Sequence, residues 1–336
     1  MSETRLSAVV EKSRAQAAIG AIRAEGVYDD ERSVYDCGSE TVAIPVTRPP
    51  ADTAVIEVIA DAGSPTQYGL PDHLRGRGWT ESELDRAPQS WAVVGSVILV
   101  RLDDCPRPVE VGEALLSMHG EADTVLARRG IDGAHREPDV EVVAGEGDTE
   151  TVHREHGTVY ALDLATVMFS PGNKAERVHM GEVVGDERVL DMFAGIGYFT
   201  LPMARAGARV TAIERNPATF EYLVENAVRN DVTDRVETYR ADCRDVVAAG
   251  EEAFSFDRVV MGHYDAWEYL DSALAALRDG GTLHMHAATP EAVLPDRPVG
   301  RLRDAVGERD LEVQDVRRVK TYSEGVVHVV VDATVV

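Results

Sequence analysis

The segment Val189-Leu190-Asp191-Met192-Phe193-Ala194-Gly195-Ile196-Gly197-Tyr198-Phe199-Thr200 limits the folds open to this chain more than any other. It reads as a short buried strand, an acid at the strand end, a turn carrying Gly195 and Gly197, and a helix over 201–206. Two glycines in such a turn remove the Cβ atoms that would keep a ligand from the backbone. Seventeen residues beyond Gly197, Glu214 closes a second apolar run, Val210-Thr211-Ala212-Ile213. In α/β nucleotide sites a carboxylate at that place accepts hydrogen bonds from ribose hydroxyls. An amphipathic helix follows over 218–230, with Phe220, Leu223, Val224, Ala227 and Val228 at helical spacing. A third run, 236–239, leads to Ala241-Asp242-Cys243-Arg244, where an acid can accept from an adenine amino group. The fourth, 256–261, opens into Gly262-His263-Tyr264, the loop that faces a transferred group, and a fifth covers 282–286. Strands alternating with helices predict a parallel, doubly wound sheet with ligands at the carboxyl ends of its strands.

The same pattern serves two kinds of cofactor. A dinucleotide fingerprint has a third glycine, which lets the helix lie close to the strand beneath the pyrophosphate; here that position is Thr200. S-adenosylmethionine carries no phosphate, and Asp191 would repel one. Asp191 is expected to bind the cofactor's ammonium, directly or through water. S-adenosylmethionine is therefore the favoured cofactor. A nicotinamide or flavin dinucleotide and a glycine turn without ligand are the alternatives.

Charge constrains the setting more than the partner. The chain of 336 residues has 59 acidic against 34 basic residues, a formal charge of -25, and only Lys12, Lys174 and Lys320 as lysines. The acids are dispersed, a pattern that keeps a protein hydrated in a salt-rich (halophilic) cytosol. At about 1 M salt the screening length is roughly 3 Å, so the net charge neither supports nor excludes RNA. Cys37, Cys105 and Cys243 are isolated and indicate neither a disulfide framework nor a zinc ribbon. The longest apolar stretch, 91–100, is too short to span a bilayer, so a cytoplasmic protein without membrane attachment is expected.

The first half reads differently: a helix over 8–24, a turn at Gly26, a strand ending in Val42-Ala43-Ile44-Pro45-Val46, and an irregular stretch over 48–90. A buried strand is expected over 91–102 and a helix over 109–120. Strands at 140–144 and 149–154 joined by Gly145-Glu146-Gly147-Asp148, with another at 158–162, complete it. The expected division is a smaller N-terminal α+β domain, 1–160, and a catalytic domain, 161–336. At their junction Ser170-Pro171-Gly172-Asn173-Lys174-Ala175-Glu176-Arg177 gathers a hydroxyl and two cations. Ser170 is a candidate helix cap, or, with Lys174 and Arg177, part of a site for a carboxylate. His284 and His286 would share a strand face, and packing explains such a pair better than a metal, since no third ligand is visible.

With those residues in place, the chain resembles archaeal tRNA-modifying enzymes of the wyosine pathway, relatives of the tRNA guanosine-N1 methyltransferases. The resemblance spans nearly the whole chain. It rests on 146–151, Phe169-Ser170-Pro171-Gly172-Asn173 with Glu176-Arg177, 191–202, Asn226 with Asn230, Asp242-Cys243-Arg244, and Arg318-Val319-Lys320 with Tyr322-Ser323. The methyltransferases carry Asn-x-Pro after the fourth strand and tend to place a proline after the second glycine. This chain has Met261-Gly262-His263-Tyr264 and Gly197-Tyr198 at those places, as the aminocarboxypropyltransferase branch does.

The resemblance implies a class I S-adenosylmethionine-dependent, Rossmann-like fold. It also implies transfer of the 3-amino-3-carboxypropyl group to C7 of 4-demethylwyosine beside the anticodon of phenylalanine tRNA, with methylthioadenosine as by-product. The alternative is tRNA guanine-N1 methylation at the same position. A tRNA-binding protein with a vestigial cofactor site is a more distant one. Expected cofactor contacts are Ser170, Arg177, Asp191, Gly195, Gly197, Glu214, Asp242 and Cys243; expected tRNA contacts are Lys174, Arg318 and Lys320. His263 and Tyr264 are candidates for the chemistry, although a loop histidine is more often simply solvated. No metal and no protein partner is indicated.

Overall fold

The computed structural model describes residues 5–30, 32–38, 41–60, 64–65, 69–133, 137–250 and 255–336. Contacts divide the chain into two units, Met1–Ala87 and Pro88–Val336. In the first, four strands lie in the order Tyr35–Asp36, Thr41–Val46, Leu6–Glu11, Glu57–Ala60. The helix Ala15–Ala24 buries Ala18 and Ile22 in one cluster with Val10 and Ile44. Leu6–Glu11 corrects the expectation of a helix from residue 8. Val9 pairs with Ala43 on one side and Glu57 on the other, so a two-sided ladder satisfies its backbone, and the β-branched pair Val9-Val10 packs well on a pleat. The 48–90 stretch contains the helices Leu70–Gly76 and Glu81–Leu84; its residues 61–63 and 66–68 lie outside the described ones.

The second unit opens with a four-stranded sheet in the order Glu137–Gly145, Thr124–Asp132, Val97–Val100, Trp91–Val94. The single strand expected over 91–102 is a hairpin, because Gly95 turns the chain at a φ of 58°. Strands 140–144 and 149–154 are also not paired across their turn. Glu137–Gly145 belongs to this sheet, whereas Glu150–Glu155 pairs with Thr158–Asp163. Gly145 and Gly147, at φ 94° and 89°, let the backbone leave one layer for the next.

A seven-stranded sheet follows: β1 (Arg188–Asp191), β2 (Arg209–Ile213), β3 (Val236–Tyr239), β4 (Phe256–Met261), β5 (Leu277–Pro290), β6 (Leu311–Ser323) and β7 (Val326–Val335). Their spatial order is β3-β2-β1-β4-β5-β7-β6. β1 to β5 are parallel; β7 runs antiparallel between β5 and β6. Helix α1 (Lys174–Glu182) precedes β1, while α2 (Thr200–Arg205), α3 (Pro217–Arg229) and α4 (Cys243–Ala249) follow β1, β2 and β3. Successive strand residues face opposite sides, so Val189 enters one core with Met203 and Leu223 and Leu190 enters the other with Leu270 and Leu302. Burial on both faces explains the unbroken apolar runs of the sequence. The fold is the expected Rossmann-like α/β sheet.

Two asparagines one helical turn apart join α3 to the hairpin strand Thr158–Asp163. The Asn226 side chain accepts from the Ala161 N–H (2.7 Å) and donates to its carbonyl (3.0 Å). Asn230 accepts from the Val159 N–H (2.9 Å) and donates to its carbonyl (2.7 Å).

Candidate functional site

The carboxyl ends of β1 to β4 open on a cavity of about 1100 Å³. Small-molecule sites measure roughly 300–1,000 Å³, so this one has room for a nucleoside cofactor and a second flat group. At the glycine turn Gly195 and Gly197 have φ of 58° and 100°. A Cβ on Gly195 would lie 2.3 Å from the Tyr198 ring, and one on Gly197 would lie 2.7 Å from Leu201 Cγ. Both glycines are thus required by the turn's own packing. Gly195 lines the cavity, and Gly197 lies behind it.

Glu214, at the end of β2, faces the cavity. Its Oε2 accepts from the Gly195 N–H (3.0 Å) and its Oε1 from the Asn216 N–H (2.7 Å). Burial raises its pKa against these donors. Each oxygen keeps a lone pair for a ligand hydroxyl. Asp191 lies deeper than the sequence suggested. Fully buried and absent from the cavity lining, it accepts from the Thr200 hydroxyl (2.7 Å) and the Phe193 N–H (3.4 Å). Burial pushes its pKa up to about 6, opposed by the Thr200 hydroxyl. The residue in the third-glycine position therefore braces the strand-end acid.

At the end of β3, Asp242 caps α4 through the Arg244 N–H (3.0 Å) and receives the Arg244 guanidinium at 2.7 and 2.9 Å. That guanidinium holds its carboxyl below the usual range. Cys243 is buried beside it, and burial pushes the thiol up to about 12, which leaves a protonated, apolar wall.

The opposite end of the cavity is built around Ser170. Arg177 is buried, forks onto Glu155 (2.7 and 3.0 Å), and donates to the Ser170 carbonyl (3.1 Å). Its charge is thus committed to Glu155 and not offered alone to a ligand. His153 continues the chain, meeting Glu155 at 3.1 Å and accepting from the Gly95 N–H at 3.2 Å. Sequence reasoning gave Glu155 and His153 no role, because their partner lies beyond the next strand. Burial alone would raise Glu155, yet His153 and Arg177 hold it down at about 2. Its folded value lies below the ordinary 4.5, so its stabilisation is present above pH 4.5 and lost as pH falls towards 2. The melting-temperature gap between the protein and its Glu155→Gln variant should therefore narrow over that window. Parallel acid profiles for the two proteins would refute this.

Lys320 donates to the Ser170 hydroxyl and lines the cavity. The basic run around it is divided by strand alternation and by a break in register between Arg318 and Lys320. Arg317 turns inward to Glu176 (2.8 Å) and Asp332, and Arg318 pairs with Glu291 (2.8 Å) outside the cavity. Lys174 is exposed at the start of α1, also outside it. His263 and Tyr264 both line the cavity. The His263 Nδ1 accepts from the Asp265 N–H (3.1 Å) and its ring leans on Phe193, while Tyr264 meets the rings of Tyr322 and His328. His284 and His286 are packed residues of β5, and among the described residues no group of three metal-ligating side chains is found.

The donor set suits S-adenosylmethionine. Carboxylates at the ends of β2 and β3 match a ribose and an adenine, and the strand-end acid beneath the turn disfavours a pyrophosphate. No helix among the described residues is long and apolar enough to cross a membrane.

Comparisons with known proteins agree with this geometry. Residues 151–314 match the TRM5/TYW2 methyltransferase domain, and residues 70–149 match the TYW2 N-terminal domain. A curated relative from Pyrococcus horikoshii, tRNA(Phe) (4-demethylwyosine(37)-C(7)) aminocarboxypropyltransferase, is 40% identical over 74% of this chain and 90% of its own length. The tRNA (guanine(37)-N(1))-methyltransferase Trm5b of Pyrococcus abyssi is 29% identical over 73% of this chain and 74% of its own. The crystal structure of P. horikoshii TYW2 in complex with MeSAdo superposes with a TM-score of 0.68 at 36% identity, covering 80% of this chain and 99% of that one. By its two matched domains and its 40% identity to a nearly full-length relative, the chain belongs to the TRM5/TYW2 family, on the TYW2 side.

Proposed function

We propose that this protein transfers the 3-amino-3-carboxypropyl group of S-adenosylmethionine to C7 of 4-demethylwyosine next to the anticodon of phenylalanine tRNA, with release of methylthioadenosine. The observation that carries this reading is the loop Gly262-His263-Tyr264, which lines the same cavity as Glu214 and Asp242 but lacks the Asn-x-Pro of the methylating branch. The P. horikoshii relative's name and the TYW2-type N-terminal domain support it.

Glu214 and Asp242 hold the adenosine, while Gly195, Cys243 and the turn braced by Asp191 and Gly197 shape its bed. Bound S-adenosylmethionine supplies a sulfonium with three electrophilic carbons, and the enzyme selects one by aligning its C–S bond with the attacking atom at about 3–3.5 Å. Ser170 and Lys320 are placed to hold the tail's carboxylate, with Arg177 fixing the Ser170 loop. Arg101 and Arg128 also line the cavity and bring positive charge for a tRNA phosphate, and Lys174 and Arg318 offer outer contacts. Residues 1–160 position the tRNA and 161–336 carry the chemistry, a division supported by the junction of the two matched domains at 149–151. The protein works in a salt-rich cytoplasm, a reading supported by its dispersed acidic residues.

The test uses S-adenosylmethionine labelled in either the methyl or the carboxyl carbon, in molar KCl, with tRNA carrying 4-demethylwyosine and unmodified tRNA. Carboxyl label should enter only the first tRNA. Methyl label entering unmodified tRNA would instead establish guanine methylation.

A further inference from the structure

The buried pair His286 and His328 takes no part in the binding described above. His286 lies on β5 and His328 on β7, at the ends nearest the cavity, and both line it. The residues are 2% and 0% exposed, and His286 Nδ1 meets His328 Nε2 at 2.9 Å. The other nitrogen of each ring, His286 Nε2 and His328 Nδ1, is buried without a hydrogen-bond partner. Buried polar atoms are nearly always satisfied, so two orphans on one linked pair call for an explanation. Phe199 packs on one ring at 5.2 Å and Tyr264 on the other at 4.9 Å.

We propose that His286 and His328 form a two-ring proton relay that removes the proton displaced from the base carbon, an inference that rests on the transfer reaction proposed above. In that reaction a bond forms between C7 and the tail's γ-carbon as the γ-carbon–sulfur bond breaks, and sulfur keeps the electron pair. The C7–H bond then breaks, its electron pair returns to the ring, and the proton needs an acceptor.

A neutral imidazole has one N–H and one lone pair. Whichever ring donates within the linked pair, one outer nitrogen is therefore an acceptor and the other a donor. A proton taken at the first outer nitrogen shifts the shared one across, and the second ring gives up its outer proton to solvent water entering the cavity that both rings line. Both rings are held neutral by burial, with pKa values pushed down to about 3. Lys320, Arg317 and His284 face the pair with positive or potentially positive charge, and Asp332 and Glu176 with negative charge.

The test compares the protein with its His286→Asn and His328→Asn variants, using carboxyl-labelled S-adenosylmethionine and tRNA with hydrogen or deuterium at C7. Wild type should transfer label equally fast to both tRNAs, because carbon–carbon bond formation limits the rate. Each variant should bind methylthioadenosine normally, slow by about 100-fold or more, and acquire a deuterium isotope effect, which a merely structural role would not produce. Variants as fast as wild type, or slow without an isotope effect, overturn the relay. Absence of transfer by the wild type overturns the reaction itself. Should an Asn variant fail to fold, His286→Gln and His328→Gln are read by the same isotope effect.

Discussion

Replacing Glu214 by Ala is expected to weaken binding of S-adenosylmethionine and of methylthioadenosine by about 100-fold. The substitution removes the acceptor proposed for the ribose hydroxyls, and hydrogen bonds to a charged group contribute about 1.5–3 kcal/mol each. It also leaves the Gly195 and Asn216 N–H groups without the carboxylate that joins them, so the turn loses its tie to β2. A loss of roughly 3 kcal/mol corresponds to about 100-fold in Kd. Titration calorimetry with methylthioadenosine reads this directly, and Glu214→Gln, which retains one acceptor oxygen, should lose less. An Ala variant binding within threefold of wild type would remove Glu214 from the site.

The second large effect falls on stability. Arg177→Met strands the buried carboxylate of Glu155, which then has only His153 beside it. Removing one member of a buried ion pair costs about 3–5 kcal/mol, whereas replacing both by apolar groups can be neutral. Arg177→Met alone should therefore lower the melting temperature by about 10 °C, and Arg177→Met with Glu155→Met should recover most of that. The recovered protein should still show a raised KM for S-adenosylmethionine, because the Ser170 carbonyl has lost its guanidinium. A single variant melting within 2 °C of wild type would mean that the pair is solvated and the loop held by something else.

What could be read from the chain depended on how local the signal was. β1 and β2 were legible because a strand buried on both faces is an apolar run, and Asp191 and Glu214 close those two runs. Asp242 and Glu214 came from their spacing along the chain alone. Leu6–Glu11 was misread because Ala8-Val9-Val10 joins smoothly in period with the helix Ala15–Ala24, and only the strands flanking it decide otherwise. Thr124–Asp132 was missed since its Arg128-Arg129-Gly130 carries no apolar alternation. The partners of Arg177 and His286 stand 22 and 42 residues away on other strands, a distance at which spacing carries no information. In the basic run 317–320, strand alternation parts Arg317 from Arg318 and an irregularity between Arg318 and Lys320 parts those two, so the three cations reach three environments.

The asparagine clamp between α3 and the strand Thr158–Asp163 has a consequence for solubility. An edge strand presents unpaired N–H and C=O groups, a ready template for another chain. Asn226 and Asn230 occupy those groups at Ala161 and Val159 with side-chain amides. The helix thus stands in for a missing strand without being one, and a helix cannot propagate a ladder. On that edge the hairpin is sealed against recruiting a neighbour. In concentrated salt, where charge repulsion between molecules is screened, that seal works by geometry and not by charge.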